Sequence, residues 1–480
     1  MHPPPTATAE PESTTMIDLK KLREDPDHFK EAARAKGVDV DIDRLLELDE
    51  ARRSLTNEQE SHRAEQKKLS KAMGPELGRR KGMLKKASPE EAATLEAEIA
   101  ELEARPIELK GRIQELDERI AGIEPEWRAL WLRVPQPPAD DVPIGGSAEE
   151  NVELRQWSPD DFDLNRSFAE QRGFTPKTHL ELINDLGLVD FERGVKMAGS
   201  RHYVLVGEGM RLHQAILRLA FDFMTQENGF TPMSVPVIVR EECMVGTGFF
   251  PSGREQAYHI EESTRGSGHD LFLTGTGEVG LMGYFSEEII DRERLPITCT
   301  TVSTCFRREA GAAGKDTAGL YRVHQFDKVE QVVIHEADED THRAWHRKMI
   351  GYVETLLQRL ELPYRLLQCC TGDLGAKNED MIDIECWIPG RGADGSDGRP
   401  TGDWGETHSA SRLSDYQTRR LNLRYRDENK KTVFPYALNN TVVASPRIMV
   451  PLLEMHQQAD GSIRIPEVLR PYLGGQERIG

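Results

Sequence analysis

Apolar residues follow two regimes along this chain. From Asp41 to about Ile123 the sequence is charged and almost free of aromatics, and its leucines keep helical spacing. Leu95, Leu102, Leu109, Leu116 and Ile123 recur every seven residues, with Ile99, Ile113 and Ile120 on the partner positions. That is the a/d seam of two packed helices. The preceding half is weaker: Leu48, Leu55 and Leu69 are diluted by His62 and Gln66, with interruptions at Gly74-Pro75 and Ser88-Pro89. The pattern predicts an antiparallel helical hairpin with arms of roughly 50 Å, at about 1.5 Å per residue. Pro106 falls on the seam and predicts a kink.

Beyond the hairpin the pattern changes. Val134 to Ser147 (VPQPPADDVPIGGS) has the prolines and glycines of a linker. From Glu150 onward short β-rich runs (Tyr203 to Val206, Asp270 to Thr274, Val329 to His335, Met381 to Ile388) alternate with amphipathic helices, which predicts an antiparallel α+β domain. The expected organisation is a disordered extension over 1–15, a helical arm domain over 16–133, a linker over 134–149 and an α+β domain over 150–480. Met16 offers an alternative start.

At 480 residues the chain is long enough for two or three cores. Its formal charge of −20 argues against a uniformly nucleic-acid-coated protein, so local distribution decides. The far half of the hairpin is the exception to the acidic balance. It carries Arg63, Lys67, Lys68, Lys71, Arg79, Arg80, Lys81, Lys85 and Lys86 against Glu65 and Glu76. A solvated coiled coil is the bland reading; in so acidic a chain, a basic tip on a long lever points to phosphate contacts, which are charge-driven and independent of sequence. The six cysteines lie scattered with no CxxC pair, which favours reduced, buried thiols in the cytoplasm. No apolar run approaches the roughly 18 residues of a membrane span.

The chemistry concentrates between Cys305 and Glu330, CFRREAGAAGKDTAGLYRVHQFDKVE: a strand-like entry, a Gly-rich turn and a returning strand. Arg307 and Glu309 lie two residues apart, so on one strand face they present a fork of donors beside an acceptor, a pair able to hold a phosphate and an amine. This segment resembles motif 2 of class II aminoacyl-tRNA synthetases, and its HQFDKVE ending is similar to that of seryl-tRNA synthetases. The resemblance runs in order from MIDLKKLREDPDHF at Met16 to IPEVLRPYL at Leu473. It implies a class II catalytic domain over 150–480 and a homodimer. The implied reaction activates L-serine with ATP to seryl-adenylate and charges serine tRNA, and selenocysteine tRNA where present.

What the resemblance implies for individual residues is specific. Arg307 would clamp the α-phosphate and the attacking carboxylate, Glu309 would accept from the adenine amine, Phe326 would stack on adenine, and Arg447 would reach the γ-phosphate; Arg307, Glu309 and Arg447 form the catalytic set. Arg308, Val323, Thr407 and His408 complete the ATP-binding set, with Glu406 and Ser409 of the GETHS segment holding Mg²⁺, ribose or phosphate. Thr276, Gly277 and Glu278 would bind the serine amine, Arg322 and Glu330 its carboxylate and side chain, with Asn439 beside them and Thr441 as hydroxyl partner. Lys67, Lys68, Lys71, Arg79, Arg80, Lys81, Lys85 and Lys86 would grip tRNA.

Departures from the family pattern are local. Motif 3 reads Asn439-Asn440-Thr441-Val442, bulkier than the usual Gly-Ser-Gly type, and predicts a narrowed amino-acid pocket. Ser445 is expected to cap a helix opened by Pro446 and bent at Pro451, and the loop from Arg391 to Asp403 is longer than typical. These features motivate an alternative, a specialised copy for biosynthesis or inhibitor resistance. A non-catalytic tRNA-binding paralogue is disfavoured by the retained phosphate clamp. A carrier-protein ligase is disfavoured by the long arm and the lack of a cysteine-bearing zinc site. Gly275 to Gly280 is a literal GxGxxG, but no βαβ series precedes it. His342 and His346, with Asp338 and Asp340 upstream, have metal-ligand spacing, yet a solvated acidic helix is the favoured reading.

Overall fold

The computed structural model describes residues 16–261, 270–310, 319–393 and 400–480. The extension over 1–15 and the middle of the 391–403 loop lie outside these residues. The chain divides into two compact units: Lys20–Pro26 with Asp39–Val134, and 27–38 with Pro135–Gly480 and the residues up to Leu19.

The smaller unit is the hairpin, formed by α1 (Ile42–Leu84) and α2 (Pro89–Arg133). Asp41 caps α1 by accepting from the Arg44 amide at 2.9 Å. At the start of α2, Pro89 needs no amide partner, and the Ser88 amide donates to Glu91 at 3.0 Å. Leu48, Leu55, Ile99, Leu109 and Leu116 of the seam are buried. Ion pairs Arg52–Glu124, Arg112–Glu58, Arg105–Glu65 and Lys81–Glu103 confirm the antiparallel register. The expected interruption at Gly74-Pro75 does not occur, and α2 runs on through Pro106 without a break. A helix-interior proline costs about 3 kcal/mol, which a few flanking seam residues offset at about 1.5–3 kcal/mol each on burial. Helices of 43 and 45 residues therefore extend about 65 Å each, longer than the sequence pattern suggested.

The larger unit is built on an eight-stranded sheet. Its strands are β1 (Val152–Trp157), β2 (Thr231–Pro232), β3 (Ile297–Phe306), β4 (Gln325–His335), β5 (Tyr364–Gln368), β6 (Asp380–Ile388), β7 (Asp403–Arg412) and β8 (Tyr436–Ser445). They lie in the order β1-β5-β6-β7-β8-β4-β3-β2, antiparallel except for the short β2–β3 pair. This is the predicted antiparallel α+β class. Helices α3 (Glu208–Asp222), α4 (Gly277–Gly283), α5 (Glu339–Arg359) and α6 (Met449–His456) pack around it.

Alternation along β4 sorts its side chains between the two faces of the sheet. Val329 and Val333 join the main core with Leu438 and Val442 of β8, Met349 and Val353 of α5 and Leu212 and Ile216 of α3. Lys328 and Glu330 point the other way, on the side where Val332 and Ile334 meet Leu281 and Met282 of α4. One face of the sheet thus packs in the main core, while the other packs at Val332 and Ile334 and carries Lys328 and Glu330 beside that packing.

The rejection of a dinucleotide fold at the GxGxxG segment holds, and other local expectations are corrected. The GxGxxG segment leads from Leu271–Leu273, the middle strand of a small antiparallel sheet, into α4, so no dinucleotide-type βαβ unit exists there. Its glycines serve close packing: a Cβ at Gly277 would lie 2.4 Å from Thr301 Cγ2, and one at Gly280 2.5 Å from Val235 Cγ2. Helix α6 starts at Met449, which puts Pro451 in the first turn, where an amide has no helical acceptor and no bend is required. Ser445 is not its cap; its Oγ meets His213 Nδ1 at 2.7 Å.

His342 and His346 are neither solvated nor gathered as ligands. Both are buried on α5, His342 Nδ1 lying 2.8 Å from His335 Nε2 and His346 Nε2 3.0 Å from the Ala410 carbonyl. Burial lowers the pKa of each of these imidazoles and of His456, taking His335 and His456 to about 4 and His342 well below its ordinary value. The unfolded chain takes up protons near pH 6.5 that the folded state refuses, so stability is lost as pH falls from that point towards 4. Buried Glu379, held above its usual range, opposes this in part. Melting temperature is expected to drop steeply between pH 7 and 5 and to drop less in His456→Gln; an identical pH slope in that variant would overturn this account.

Candidate functional site

The open face of β4 presents Phe326, Lys328 and Glu330 in alternation beside β8, where Glu330 pairs with Thr441. These strands, the turn at Arg307–Glu309, β7 and the approach to α6 enclose a cavity of about 250 Å³. Arg307, Glu309, Val323, Phe326, Glu406, Thr407, His408, Ser409, Thr441 and Arg447, all singled out from sequence, line it, and Leu320, Tyr321, Lys328, Ala444 and Pro446 join them.

Arginine placement is local and explicit. Arg307 leaves the end of β3, donates Nε to the Gly275 carbonyl at 3.3 Å and sits with Cζ 5.5 Å from the Phe326 ring centroid. Arg447 donates Nε to the Tyr321 carbonyl at 3.2 Å and Nη1 to Glu406 Oε1 at 3.4 Å. Glu309 adopts a left-handed backbone with φ of +49°, a conformation that costs a non-glycine residue on the order of 1 kcal/mol. Bonds on either side hold it there: Arg201 Nη1 to the Glu309 carbonyl at 3.0 Å, and a two-way exchange between Gln256 and Ala310 at 3.0 Å each.

Beneath the cavity floor lies a buried polar cluster. Thr276 Oγ1 donates to Glu330 Oε2 at 2.8 Å and accepts from Lys328 Nζ at 2.8 Å, and Lys328 also pairs directly with Glu330. Asn439 Nδ2 reaches Glu330 Oε1 at 3.5 Å. Glu278 is 1% exposed and receives Lys377 Nζ at 2.7 and 2.8 Å and Gln417 Nε2 at 2.6 Å. Charges buried this deeply survive only when paired.

Arg322 and Arg308 stand apart from this cavity wall. Arg322 lines a neighbouring cavity of about 480 Å³ that shares Arg307 and Glu309 and is walled by Met244 and Phe249. Arg308 is exposed, its amide donating to the Gln256 carbonyl at 3.0 Å. His408, on the cavity wall, is buried with Nδ1 2.8 Å from Thr407 Oγ1, and burial lowers its pKa to about 3. Asn440 and Val442 do not face the site: Asn440 Nδ2 donates to the Met349 carbonyl at 3.2 Å, and Val442 belongs to the main core. The expected narrowing by three bulky residues reduces to Thr441 alone, because side chains alternate along β8.

Glu406 and Ser409 offer a carboxylate and a hydroxyl to the same cavity. Burial, reinforced by the charge of Glu406, raises Asp383 well above the carboxylate range, and Ser409 bonds to it. Oxygen donors where negative charge is concentrated fit a hard divalent cation.

Lys328, Tyr321, Lys377 and Gln417 were missed by sequence reasoning. A signal existed for Lys328, which lies between Phe326 and Glu330 at the two-residue period of a strand. None existed for Lys377 or Gln417, which reach Glu278 across 99 and 139 residues of chain.

On the arm, the basic residues split into two groups. Arg79 and Arg80 pair with Glu76, and Lys81 with Glu103. Lys67, Lys68, Lys71, Lys85 and Lys86 are exposed, and none of them has a carboxylate partner among the described residues.

Comparison with known proteins agrees with this geometry. Residues 16–137 match the family described as "Seryl-tRNA synthetase N-terminal domain", and residues 258–456 match "tRNA synthetase class II core domain (G, H, P, S and T)". The chain is 41% identical over 473 residues to a serine–tRNA ligase of Deinococcus radiodurans, covering 97% of this chain and 99% of that one. It is 41% identical to a serine–tRNA ligase of Streptomyces coelicolor, covering 96% and 98%. Among solved structures it is similar to the seryl-tRNA synthetase of Pyrococcus horikoshii complexed with ATP, with a TM-score of 0.80, 36% identity and coverage of 97% and 99%.

Proposed function

Because this chain belongs to the seryl-tRNA synthetase family, we propose that it is a serine–tRNA ligase that joins L-serine to AMP and then charges serine tRNA, and selenocysteine tRNA where the cell has one. The observation that carries the reading is the convergence of Arg307, Lys328 and Arg447 with Glu309 and Phe326 on one cavity. In the first step a serine carboxylate oxygen attacks the α-phosphorus of ATP, a P–O bond forms, and pyrophosphate leaves. Two anions must meet, so fixed positive charge and alignment do the work, and no protein nucleophile is required. Arg307 offers a planar fork to both reacting anions, Phe326 a face for adenine, Glu309 an acceptor for its amine, and Arg447 a cation for the outer phosphates. In the second step a ribose hydroxyl at the tRNA 3′ end attacks the seryl carbonyl and AMP leaves.

Thr276, Glu278 and Glu330 with Thr441 form the serine pocket in this reading. Hydrogen-bond partners there reject alanine more strongly than a missing methylene would, because an unfilled buried polar group costs about 1–3 kcal/mol. Mg²⁺ is the cation assigned to Glu406 and Ser409, where it supplies positive charge to the phosphates. The assembly is assigned as a homodimer, in which a second copy would cover exposed apolar residues such as Val195, Met197, Val206 and Met210. The reaction is assigned to the cytoplasm. Among the described residues no helix is long and apolar enough to cross a membrane.

Exchange of labelled pyrophosphate into ATP tests the proposal. It is expected to require both L-serine and Mg²⁺, with alanine and threonine lowered by orders of magnitude. Exchange independent of serine, or absent with charging-competent tRNA also inert, would overturn it.

A further inference from the structure

A tyrosine that the sequence did not single out organises one wall of the nucleotide cavity. Tyr321 is buried, and its hydroxyl donates to the Glu406 carbonyl at 2.8 Å while its own carbonyl accepts from Arg447 Nε. Two guanidiniums pack against its ring, Arg447 with Cζ at 4.6 Å from the centroid and Arg391 at 5.0 Å. Arg391 Nη1 donates to the Trp404 carbonyl at 3.0 Å, one residue before Gly405. A Cβ at position 405 would lie 2.5 Å from that Nη1 and 3.3 Å from Tyr321 Cε2. Only a residue without a side chain leaves Arg391 this seat. Arg391 also begins the long 391–403 loop, whose stem is closed by Gly402 N to the Arg391 carbonyl at 2.9 Å and Thr401 N to the Ala393 carbonyl at 3.2 Å.

We propose that Tyr321 and Arg391 are positioning residues for ATP: Arg391 fixes the Tyr321 ring, the ring fixes the Arg447 guanidinium over the cavity, and the loop stem thereby sets affinity for the triphosphate. This rests on the reading of Arg447 as a phosphate contact. An arginine held in place before its ligand arrives loses less freedom on binding, which is where the gain in affinity originates. Arg391 acts through the ring, so its contribution vanishes once the ring is gone.

The test is steady-state pyrophosphate exchange by the full-length protein and its variants, with ATP and serine titrated separately. Tyr321→Leu, Arg391→Gln and Gly405→Ala are each expected to raise the KM for ATP about tenfold with the KM for serine within about twofold. The Tyr321→Leu/Arg391→Gln double variant is expected to be no worse than Tyr321→Leu alone. Arg391→Lys is expected not to restore ATP affinity, since an ammonium lacks the plane and fork of the guanidinium. Multiplying effects in the double variant, full rescue by lysine, or an unmoved KM for ATP in Arg391→Gln would overturn the proposal. Arg391→Gln lies at the loop stem, and it decides the matter if Tyr321→Leu does not fold. Wild-type protein without serine-dependent exchange would instead count against the ligase reading itself.

Discussion

Arg307→Ala is expected to slow serine-dependent pyrophosphate exchange about 100- to 1,000-fold, corresponding to about 3–4 kcal/mol of lost transition-state stabilisation. The side chain stands where the donor fork is needed, anchored by Gly275 and packed on Phe326. The negative charge it meets is greatest when attacking and leaving oxygens both surround the α-phosphorus, so the loss should fall on kcat more than on the KM for ATP. Arg307→Lys keeps the charge but not the bidentate geometry, and is expected to recover only part of the rate. Full exchange by Arg307→Ala would remove that residue from the reaction.

The second large effect concerns the arm. Replacing Lys67, Lys68, Lys71, Lys85 and Lys86 together by glutamate is expected to raise the KM for tRNA in charging by at least about 100-fold, with pyrophosphate exchange unchanged. Deleting Asp41 to Ile123 should go further and abolish charging while sparing adenylate formation. Every lysine that no longer neutralises a duplex phosphate also flattens the salt dependence of binding by about 0.9 in log–log slope, which distinguishes backbone recognition from a folding defect. Arg79, Arg80 and Lys81 are expected to matter less for tRNA, because their charge is already met by Glu76 and Glu103. Unchanged charging by the fivefold variant would make the arm a structural or partner-binding element.

Much of this architecture was legible in the chain itself. Heptad spacing in the hairpin and period-two runs such as Met381 to Ile388 are direct consequences of backbone geometry, so they survive without knowledge of tertiary context. The clamp residues were legible because Phe326 and Glu330 share β4 at the two-residue period, and Arg307 and Glu309 follow directly on the end of the neighbouring β3. Pro75 and Pro451 misled because a proline states a local cost, while seam packing or a first-turn position decides whether that cost is felt. Asn440 and Val442 misled for a simpler reason: adjacency in sequence places them on the opposite face of β8 from Thr441. Lys377, Gln417 and Arg391 were invisible, since their partners lie distant in sequence and no spacing rule connects them.

Both carboxylates at the floor of the proposed serine pocket have a lysine of their own, Lys328 on Glu330 and Lys377 on Glu278. An empty pocket of this kind is electrically closed. An arriving ammonium does not fall into a bare negative well; it enters an exchange in which the resident cation must yield room or share its oxygens. The net gain is then a small difference between two ion pairs, sensitive to the shape and hydrogen bonds of the newcomer rather than to its charge. Potassium, free amines and larger zwitterions meet the same neutralised pocket, which lets a site in a salt-filled solution stay selective for one small amino acid.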